Sequence, residues 1–506
     1  MVKLPSLQTI LEDISGTQME AELASLLVGP LRLDSREIEF GDTFVAVEGY
    51  INDGRIYIPT AIDNGAKLIL AEAKNSDEFK QLYQEIVKDK IIWIENLRDQ
   101  LSKIAANYYG DPSAYLKNIA VTGTNGKTSC SYLIAKTLQK MNFECYLMGT
   151  LGVGCCGALQ ESTNTTADAI TLQKILAEAL NSGAQFSSME ISSHGIDQNR
   201  ASAIKLNTAI FTNLTHDHLD YHGTMENYGA AKRKLFLQQH LKNVVLNMDD
   251  RFARKLAKDE DIVATKWLTT TNLPTSGSNL NRWIWAEDVV YSLQGLHAKI
   301  FTPWGSGKLD SPLIGQFNLS NLLLVVAALG SILKDLPLIL SVLKHVKAAQ
   351  GRMETFGNEN TPLAVVDYAH TPDALEQALV ALREHCVGLI WCVFGCGGER
   401  DSGKRSLMAK VAEKLSNRVV VTTDNPRLES SEKIKDDIFS GFKNNQKVKY
   451  IEDRKLAIEN TIASAQPGDA ILIAGKGHEN YQIIGKEKYF LSDKAICEEA
   501  LRAYLI

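Results

Sequence analysis

Residues 119–128 read Ile119-Ala120-Val121-Thr122-Gly123-Thr124-Asn125-Gly126-Lys127-Thr128. An apolar run passes directly into a glycine-bounded loop. Cys130, Leu133, Ile134 and Leu138 then fall near helical spacing on one face. Strand, glycine loop and helix in that order predict a phosphate-binding turn. Its backbone N–H groups point inward, and the helix N-terminus behind them adds positive potential. Lys127 would reach the β and γ phosphates and Thr128 would offer a hydroxyl to Mg²⁺, with Gly123, Thr124, Asn125, Gly126 and Ser129 completing the cradle. The loop is shorter than GxxxxGK[ST], because Val121 stands where the first glycine would be. A generic glycine turn is the alternative; the strand before and the helix after favour the phosphate loop.

Three regions extend outward from this stretch. Before it, 1–97 reads as a small α/β unit, with strands predicted at 44–47 and 67–71 and a loop at 49–55. The central region, 98–350, adds strand-like runs at 208–211 and 244–246, which predicts a mostly parallel sheet with helices on both faces. In 351–506 apolar runs begin near Ala364, Leu389, Val419 and Ala470. Helix-sized gaps separate most of them, and Thr371-Pro372 reads as a helix start. The pattern is a second, Rossmann-like doubly wound sheet.

Composition excludes several classes. The chain has 506 residues, 45% hydrophobic and 23% charged, ordinary for a globular protein and unlike disordered or fibrous chains. A net charge of −6 gives no global footprint for nucleic acid. Eight cysteines, at 130, 145, 155, 156, 386, 392, 396 and 497, are too sparse for a disulfide scaffold and predict reduced, mostly buried thiols. The most apolar stretch, 322–333, is too short to span a membrane and predicts a core helix. The first eleven residues contain no continuous apolar run, so a cytoplasmic protein is expected.

Two further clusters carry chemistry. Five of the ten histidines, 194, 216, 218, 222 and 240, lie in one short stretch. His216, His218 and His222 could bind zinc; the other reading is a magnesium site assembled with Glu190, which ends a predicted strand. Asp424-Asn425-Pro426-Arg427 follows the 419–423 strand, and Arg427 could clamp a carboxylate through two parallel hydrogen bonds. Arg400 is a second candidate of that kind.

Together the motifs TGTNGKTS (122–129), NTTAD (164–168), MEISSHG (189–195), TNLTHDHLDYHG (212–223), AAKRKLF (230–236), GQFNLSN (315–321), GRME (351–354), DYAHTPDAL (367–375), GCGGERDSGKR (395–405), TTDNPR (422–427) and AGKGHE (474–479) resemble the Mur ligase superfamily. Its members are ATP-dependent amide-bond-forming enzymes of cell-wall synthesis. The resemblance spans nearly the whole chain. It implies three domains: 1–97 for the UDP-linked substrate, 98–350 for ATP, and 351–506 for the incoming amino acid. It also implies a monomeric enzyme of the bacterial cytoplasm.

The implied reaction starts when the D-glutamate carboxylate of UDP-N-acetylmuramoyl-L-alanyl-D-glutamate attacks the γ-phosphate of ATP. The amine of a diamino acid then displaces phosphate from the acyl phosphate. The resemblance assigns catalysis to Lys127, Glu190, His218 and Lys232. Two Mg²⁺ ions would be held by Thr128, Glu190, His218 and Lys232, the lysine acting as a carbamate. ATP would extend to Asn318, Asn321, Arg352 and Asp367. Leu33, Ser35, Asn164, Thr165, Thr166, Ser192, Gln198 and Arg200 would hold the muramoyl-dipeptide arm, with uridine near loop 49–53. Arg400, Asp424, Asn425, Pro426, Arg427, Gly475 and Glu479 would hold the amino acid. The arginine of DNPR implies meso-diaminopimelate, whose second carboxylate lysine lacks. The alternatives are a lysine-adding enzyme, a folylpolyglutamate synthase, or a P-loop nucleotide switch that turns over ATP without an amino acid.

Overall fold

The computed structural model describes residues 4–15, 21–49, 52–83, 90–162, 164–274 and 280–504. Tyr50 and Ile51, in the loop expected near uridine, lie outside the described residues. The chain folds into two compact units. One comprises 1–127, 142–246 and 250–266, and the other 128–141, 247–249 and 267–506.

The first unit contains a four-stranded parallel sheet in sequence order, Leu31–Arg32, Thr43–Ala46, Leu68–Glu72 and Ile91–Ile94. Val45, Leu68, Leu70, Ile92 and Ile94 pack on one face, and Phe44, Ala46, Ile69 and Ala71 on the other. Burial of both faces is what a parallel sheet needs. A second set of strands runs in the order Asn243–Asn247, Leu206–Phe211, Lys117–Thr122, Phe186–Glu190, Cys145–Gly149 and Gly152–Cys155. Only the last pairing is antiparallel. Val121 lies opposite Glu190 and Thr122 opposite Phe211. Three carboxyl ends are therefore level, and the loops leaving them share one edge. Ligands bind at such an edge in open α/β sheets.

The second unit contains a six-stranded sheet in the order Glu354–Phe356, Leu363–Asp367, Ala470–Ala474, Ile390–Phe394, Arg418–Val421 and Val448–Tyr450. It is parallel except for the first pairing. Val365, Cys392, Val419 and Leu472 face one core, and Val366, Val393, Val420 and Ile473 the other. The four predicted apolar runs are four of its strands. Thr371 caps helix Pro372–His385, its hydroxyl accepting from Ala374 N at 3.3 Å.

Strands Trp283–Ser292, Gly295–Thr302 and Gly305–Ser311 form an antiparallel meander that the parallel reading of the central region did not anticipate. Its hairpins turn on two residues each, Leu293-Gln294 and Pro303-Trp304, too short for a parallel crossover. Helix Gln316–Leu333 is long and apolar enough to cross a membrane, yet 67% of it is buried inside the protein, as a core helix requires. All eight cysteines are free, and all but Cys155 are buried.

One buried ion pair ties the carboxyl edge of the six-stranded sheet together. Arg454 donates to both oxygens of Asp493 at 2.8 and 2.6 Å, and both side chains are fully buried. The same guanidinium donates to Thr423 O at 3.3 Å and Ala474 O at 3.0 Å, just beyond or at the ends of two strands. Asp493→Ala would leave a buried cation unpaired and is expected to remove about 3–5 kcal/mol of stability. Urea unfolding measures this; a loss below about 1 kcal/mol would place the pair among solvent-screened surface bridges.

Candidate active site

The loop after Lys117–Thr122 is held by its neighbour after Leu206–Phe211. Thr124 N donates to Asn213 O at 2.8 Å, Asn125 N to Asn213 Oδ1 at 2.9 Å, and Thr212 Oγ1 to Asn125 O at 2.6 Å. Gly123 has φ +148°, and a Cβ there would sit 1.9 Å from Thr212 Oγ1. Lys127 Nζ donates to Gly123 O at 3.0 Å and Thr124 O at 2.8 Å. Helix Lys127–Lys140 begins at once and buries Thr128, Cys130, Leu133, Ile134 and Leu138; Ser129 is half-buried.

Lys232, in helix Met225–Arg233, is fully buried. Its Nζ donates to the same Gly123 O at 2.8 Å and lies 4.5 Å from the centre of the Tyr228 ring. Burial drives its pKa well below the usual lysine range, and Lys127 pushes the same way. Lys232 is thus no solvated helix lysine, unlike its neighbours Arg233 and Lys234, which pair with carboxylates nearer the surface.

Glu190 is buried at the end of its strand. Thr150 N donates to its Oε1 at 2.8 Å and Thr150 Oγ1 to its Oε2 at 3.3 Å. A network continues from its backbone. Thr166 Oγ1 donates to Glu190 O and accepts from Ser192 N, both at 2.9 Å. Arg200 donates to Thr166 O at 2.7 Å and to Gln198 Oε1 at 2.6 Å. Thr165 and Thr150 hydroxyls lie 3.2 Å apart, and Asn164 O accepts from Ser162 Oγ at 2.8 Å. Glu190, Thr165, Thr166, Ser192, Gln198 and Arg200 are thus brought together. Leu33 lies elsewhere, lining a cavity of 1060 Å³ with Tyr108, Tyr109 and Lys174. Ser35 is buried, with its carbonyl accepting from Asn64 at 2.9 Å.

His218 has φ +51° and its ring packs 5.0 Å from His194. His222 reaches Ser193 Oγ at 3.0 Å. Burial lowers the pKa of both His194 and His222. Among the described residues no group of three or more His, Cys, Asp or Glu is placed to hold a metal, which removes the support for a zinc site at 216, 218 and 222.

In the second unit Asn318 and Asn321 are buried in the first turns of helix Gln316–Leu333. Asn318 Nδ2 donates to Ile314 O at 2.7 Å, and Asn321 Nδ2 to Asn318 Oδ1 at 3.1 Å. Asp367 accepts from Met353 N and Ala369 N, both at 2.8 Å, and burial raises its pKa. Arg352 stacks over Tyr368 at 4.9 Å.

The DNPR loop closes against AGKGHE. Asn425 Nδ2 donates to Glu479 Oε2 at 3.0 Å, and buried Lys476 donates to Asn425 Oδ1 at 3.0 Å and Glu479 Oε2 at 3.3 Å. A Cβ on Gly475 would lie 2.7 Å from Asp424 Oδ2. Pro426 is buried, and its carbonyl would meet a Cβ on Gly398 at 1.9 Å. Arg427, with φ +53°, donates to Gly398 O at 2.9 Å. Arg427 and exposed Arg400 both flank Gly397. Sequence reasoning missed Lys476, Tyr228 and Thr150. Lys476 stood inside a quoted motif; the other two carried no signal.

A phosphate loop with a buried lysine on its carbonyl, a second lysine beside it and a carboxylate one strand away forms the ligand-binding edge of an open α/β nucleotide-binding protein. Three family models match the chain: the Mur ligase family, catalytic domain, over 29–109; the Mur ligase middle domain over 121–329; and the Mur ligase, glutamate ligase domain, over 351–477. The chain belongs to the Mur ligase family. It is 45% identical to the UDP-N-acetylmuramoyl-L-alanyl-D-glutamate--2,6-diaminopimelate ligase of Haemophilus influenzae over 471 residues, 93% of this chain and 95% of that one. The protein of that name from Pseudomonas aeruginosa is 45% identical over 479 residues, covering 95% and 96%. A solved structure of a ligase with the same name superposes with TM-score 0.74 at 34% identity, covering 99% of this chain and all of that one. MurF ligase from Thermotoga maritima in complex with ADP, at 18% identity and TM-score 0.58 over 94% of this chain and 97% of that one, shares the fold.

Gly149 adjoins Thr150, and a Cβ on it would stand 2.2 Å from Glu190 Oε1. Gly149→Ala is expected to push the carboxylate off Thr150 and lower ATP-dependent phosphate release on the order of a hundredfold. Circular dichroism should show an intact fold. Activity within about twofold of the parent would mean that Glu190 needs no fixed position.

Proposed function

We propose that this ligase adds meso-diaminopimelate to the D-glutamate of UDP-N-acetylmuramoyl-L-alanyl-D-glutamate, cleaving ATP to ADP and phosphate, in peptidoglycan precursor synthesis. The near-full-length likeness to ligases of that name supports the reaction. One observation carries the choice of amino acid: Arg427 and Arg400 flank one glycine, and among the described residues neither has an acidic partner. They suit carboxylates of a bound amino acid, with Asp424, Asn425, Pro426, Gly475 and Glu479 forming the rest of its site and Glu479 accepting from the distal ammonium.

Domains 1–97, 98–350 and 351–506 would take the UDP substrate, ATP and the amino acid; three family models match in that order, the first of them, over 29–109, running past residue 97. ATP lies on Gly123–Ser129, with Asn318 and Asn321 near adenine and Arg352 and Asp367 near ribose and phosphates. Leu33 and Ser35 hold one end of the muramoyl-dipeptide. Asn164, Thr165, Thr166, Ser192, Gln198 and Arg200 hold the other. The enzyme works as a monomer in the bacterial cytoplasm.

The donor chemistry fits Mg²⁺. Glu190 and Thr128 offer hard oxygens and His218 a nitrogen, and among the described residues no three His, Cys, Asp or Glu close a cage. Magnesium is commonly held that way, by few side chains and by substrate phosphates. When bound, it offsets the repulsion between carboxylate and triphosphate. Lys127 serves the same end at the γ-phosphate, where charge develops. Burial lowers the pKa of Lys232 and so favours its free amine, which would add to carbon dioxide with loss of one proton to give a carbamate, an anionic oxygen donor.

Phosphate release from ATP with the muramoyl-dipeptide and Mg²⁺ tests the reaction. It should depend on meso-diaminopimelate and not on L-lysine. Lysine-dependent release would overturn the specificity, and release independent of any amino acid would favour the nucleotide switch. Arg427→Ala should lower kcat/KM for meso-diaminopimelate roughly a hundredfold and narrow its advantage over lysine. Isotopically labelled bicarbonate should give a carbamate carbonyl resonance that Lys232→Ala abolishes; the same resonance in both proteins would refute carbamylation of Lys232.

A further inference from the structure

Helix Gln316–Leu333 starts at Gly315, which supplies no side-chain cap. The first N–H groups of a helix need acceptors from elsewhere. Here they come from the last two residues of helix Pro372–His385. Gly315 N donates to His385 Nε2 at 2.8 Å, and Gln316 N to Glu384 Oε2 at 3.2 Å. A carboxylate is unfavourable at the C-terminus of its own helix and favourable at the N-terminus of another, which accounts for Glu384. The two helices touch closely: a Cβ on Gly315 would lie 2.9 Å from Ala381 Cβ.

The His385 ring has one workable state. Ser292 O can only accept, so Nδ1, at 2.5 Å, carries the proton. Gly315 N can only donate, so Nε2 must be bare. Imidazolium would satisfy the first contact and break the second. The titratable ring packed against it is Tyr291, 5.0 Å away, and the nearest charge on its own helix is Glu384, whose carboxylate is turned to Gln316 N. Burial lowers the pKa of His385 from 6.5, which favours the neutral ring.

The contact reaches further than one N–H. Gly315 N and Ile314 O belong to the same planar peptide. His385 grips its N–H, and Asn318 Nδ2 grips its oxygen at 2.7 Å. Asn318 Oδ1 in turn accepts from Asn321 at 3.1 Å. The orientation of that peptide therefore links His385 to both asparagines.

We propose that Glu384 and His385 are positioning residues that cap helix Gln316–Leu333 from the neighbouring helix and, through the Ile314–Gly315 peptide, set Asn318 and Asn321 for nucleotide. This rests on the reading that those asparagines face ATP. His385→Ala is expected to raise KM for ATP about fivefold to tenfold, the worth of one or two hydrogen bonds, with kcat within about twofold. His385→Gln, whose amide places a neutral acceptor near Nε2, should restore most of the affinity. In the parent protein KM for ATP should rise as pH falls on the acid side of 6.5, and in His385→Gln it should stay flat. Asn318→Ala separates the two layers. If it raises KM while His385→Ala does not, the coupling is wrong and the nucleotide reading stands. If neither variant moves KM, the nucleotide reading fails and the coupling with it. Equal rises in both His385 variants, with the parent's pH profile, would mark a packing effect and overturn the proposal. Should His385→Ala fail to fold, the comparison of parent and His385→Gln across pH decides alone.

Discussion

Two lysine side chains converge on one backbone carbonyl. Lys127 and Lys232 both donate to Gly123 O, at 3.0 and 2.8 Å. Like charges that close repel, and the buried partner bears the consequence: Lys232 is driven toward its neutral form by burial and by Lys127. The loop that presents this carbonyl thus gathers positive potential from Lys127, from its own N–H groups and from the helix behind it. A polyanion relieves that potential; a neutral ligand would not. Thr212 and Asn213 hold the same loop two residues further on, both side chains donating to Asn125 O.

Backbone at the strand ends sets the remaining geometry. Glycines stand where a side chain would strike a polar group of the site. Gly123 makes room for Thr212, Gly149 for Glu190 and Gly475 for Asp424. Gly351 meets the backbone of Gly477 and His478, with 2.1 Å left for a Cβ, so GRME and AGKGHE are pressed together. The parallel sheets bring these loops to their carboxyl edges. Each sheet is buried on both faces, so a shift of register would expose a whole apolar row.

Much of this was legible in the sequence. The strand–loop–helix at 117–140, the capped helix at 372 and the four apolar strands of the last region follow from local patterns of one period each. The meander at 283–311 was not legible. Along Trp283–Ser292 the face that buries Ile284 and Ala286 exposes Asp288 and Val290, and the register shifts between Glu287 and Val290. Long-range pairings were also hidden. Arg454 and Asp493 are 39 residues apart, and nothing local marks either as buried. Lys232 reads as one cation in a basic run; only tertiary packing separates it from Arg233 and Lys234. His385 reads as the end of an amphipathic helix, and its two partners lie 70 and 93 residues away.

Charge pairing around the last sheet distinguishes structure from recognition. Arg454 is matched by Asp493, Arg405 by Glu429 and Asp437, and Lys476 by Glu479. Arg405 holds the Glu429 carboxyl down at about 2, so that pair remains ionised at any physiological pH. These buried cations already have carboxylates of their own and can offer little to a ligand. Arg427 is held differently. Its φ of +53° is an unfavourable conformation for a side chain that long, and its backbone pairs with Ile483 and Gly485 at 3.1 and 2.8 Å. The hairpin Tyr481–Ile484 and Glu487–Phe490 therefore fixes the backbone of an arginine whose own hydrogen bonds go to carbonyls, not to an acid. A left-handed backbone at Arg427 costs stability, and among the described residues its guanidinium, beside Arg400, has no acidic partner. On the proposed function that cost is offset when a carboxylate arrives, and an amino acid with one carboxylate more than lysine is the ligand that two such arginines would select.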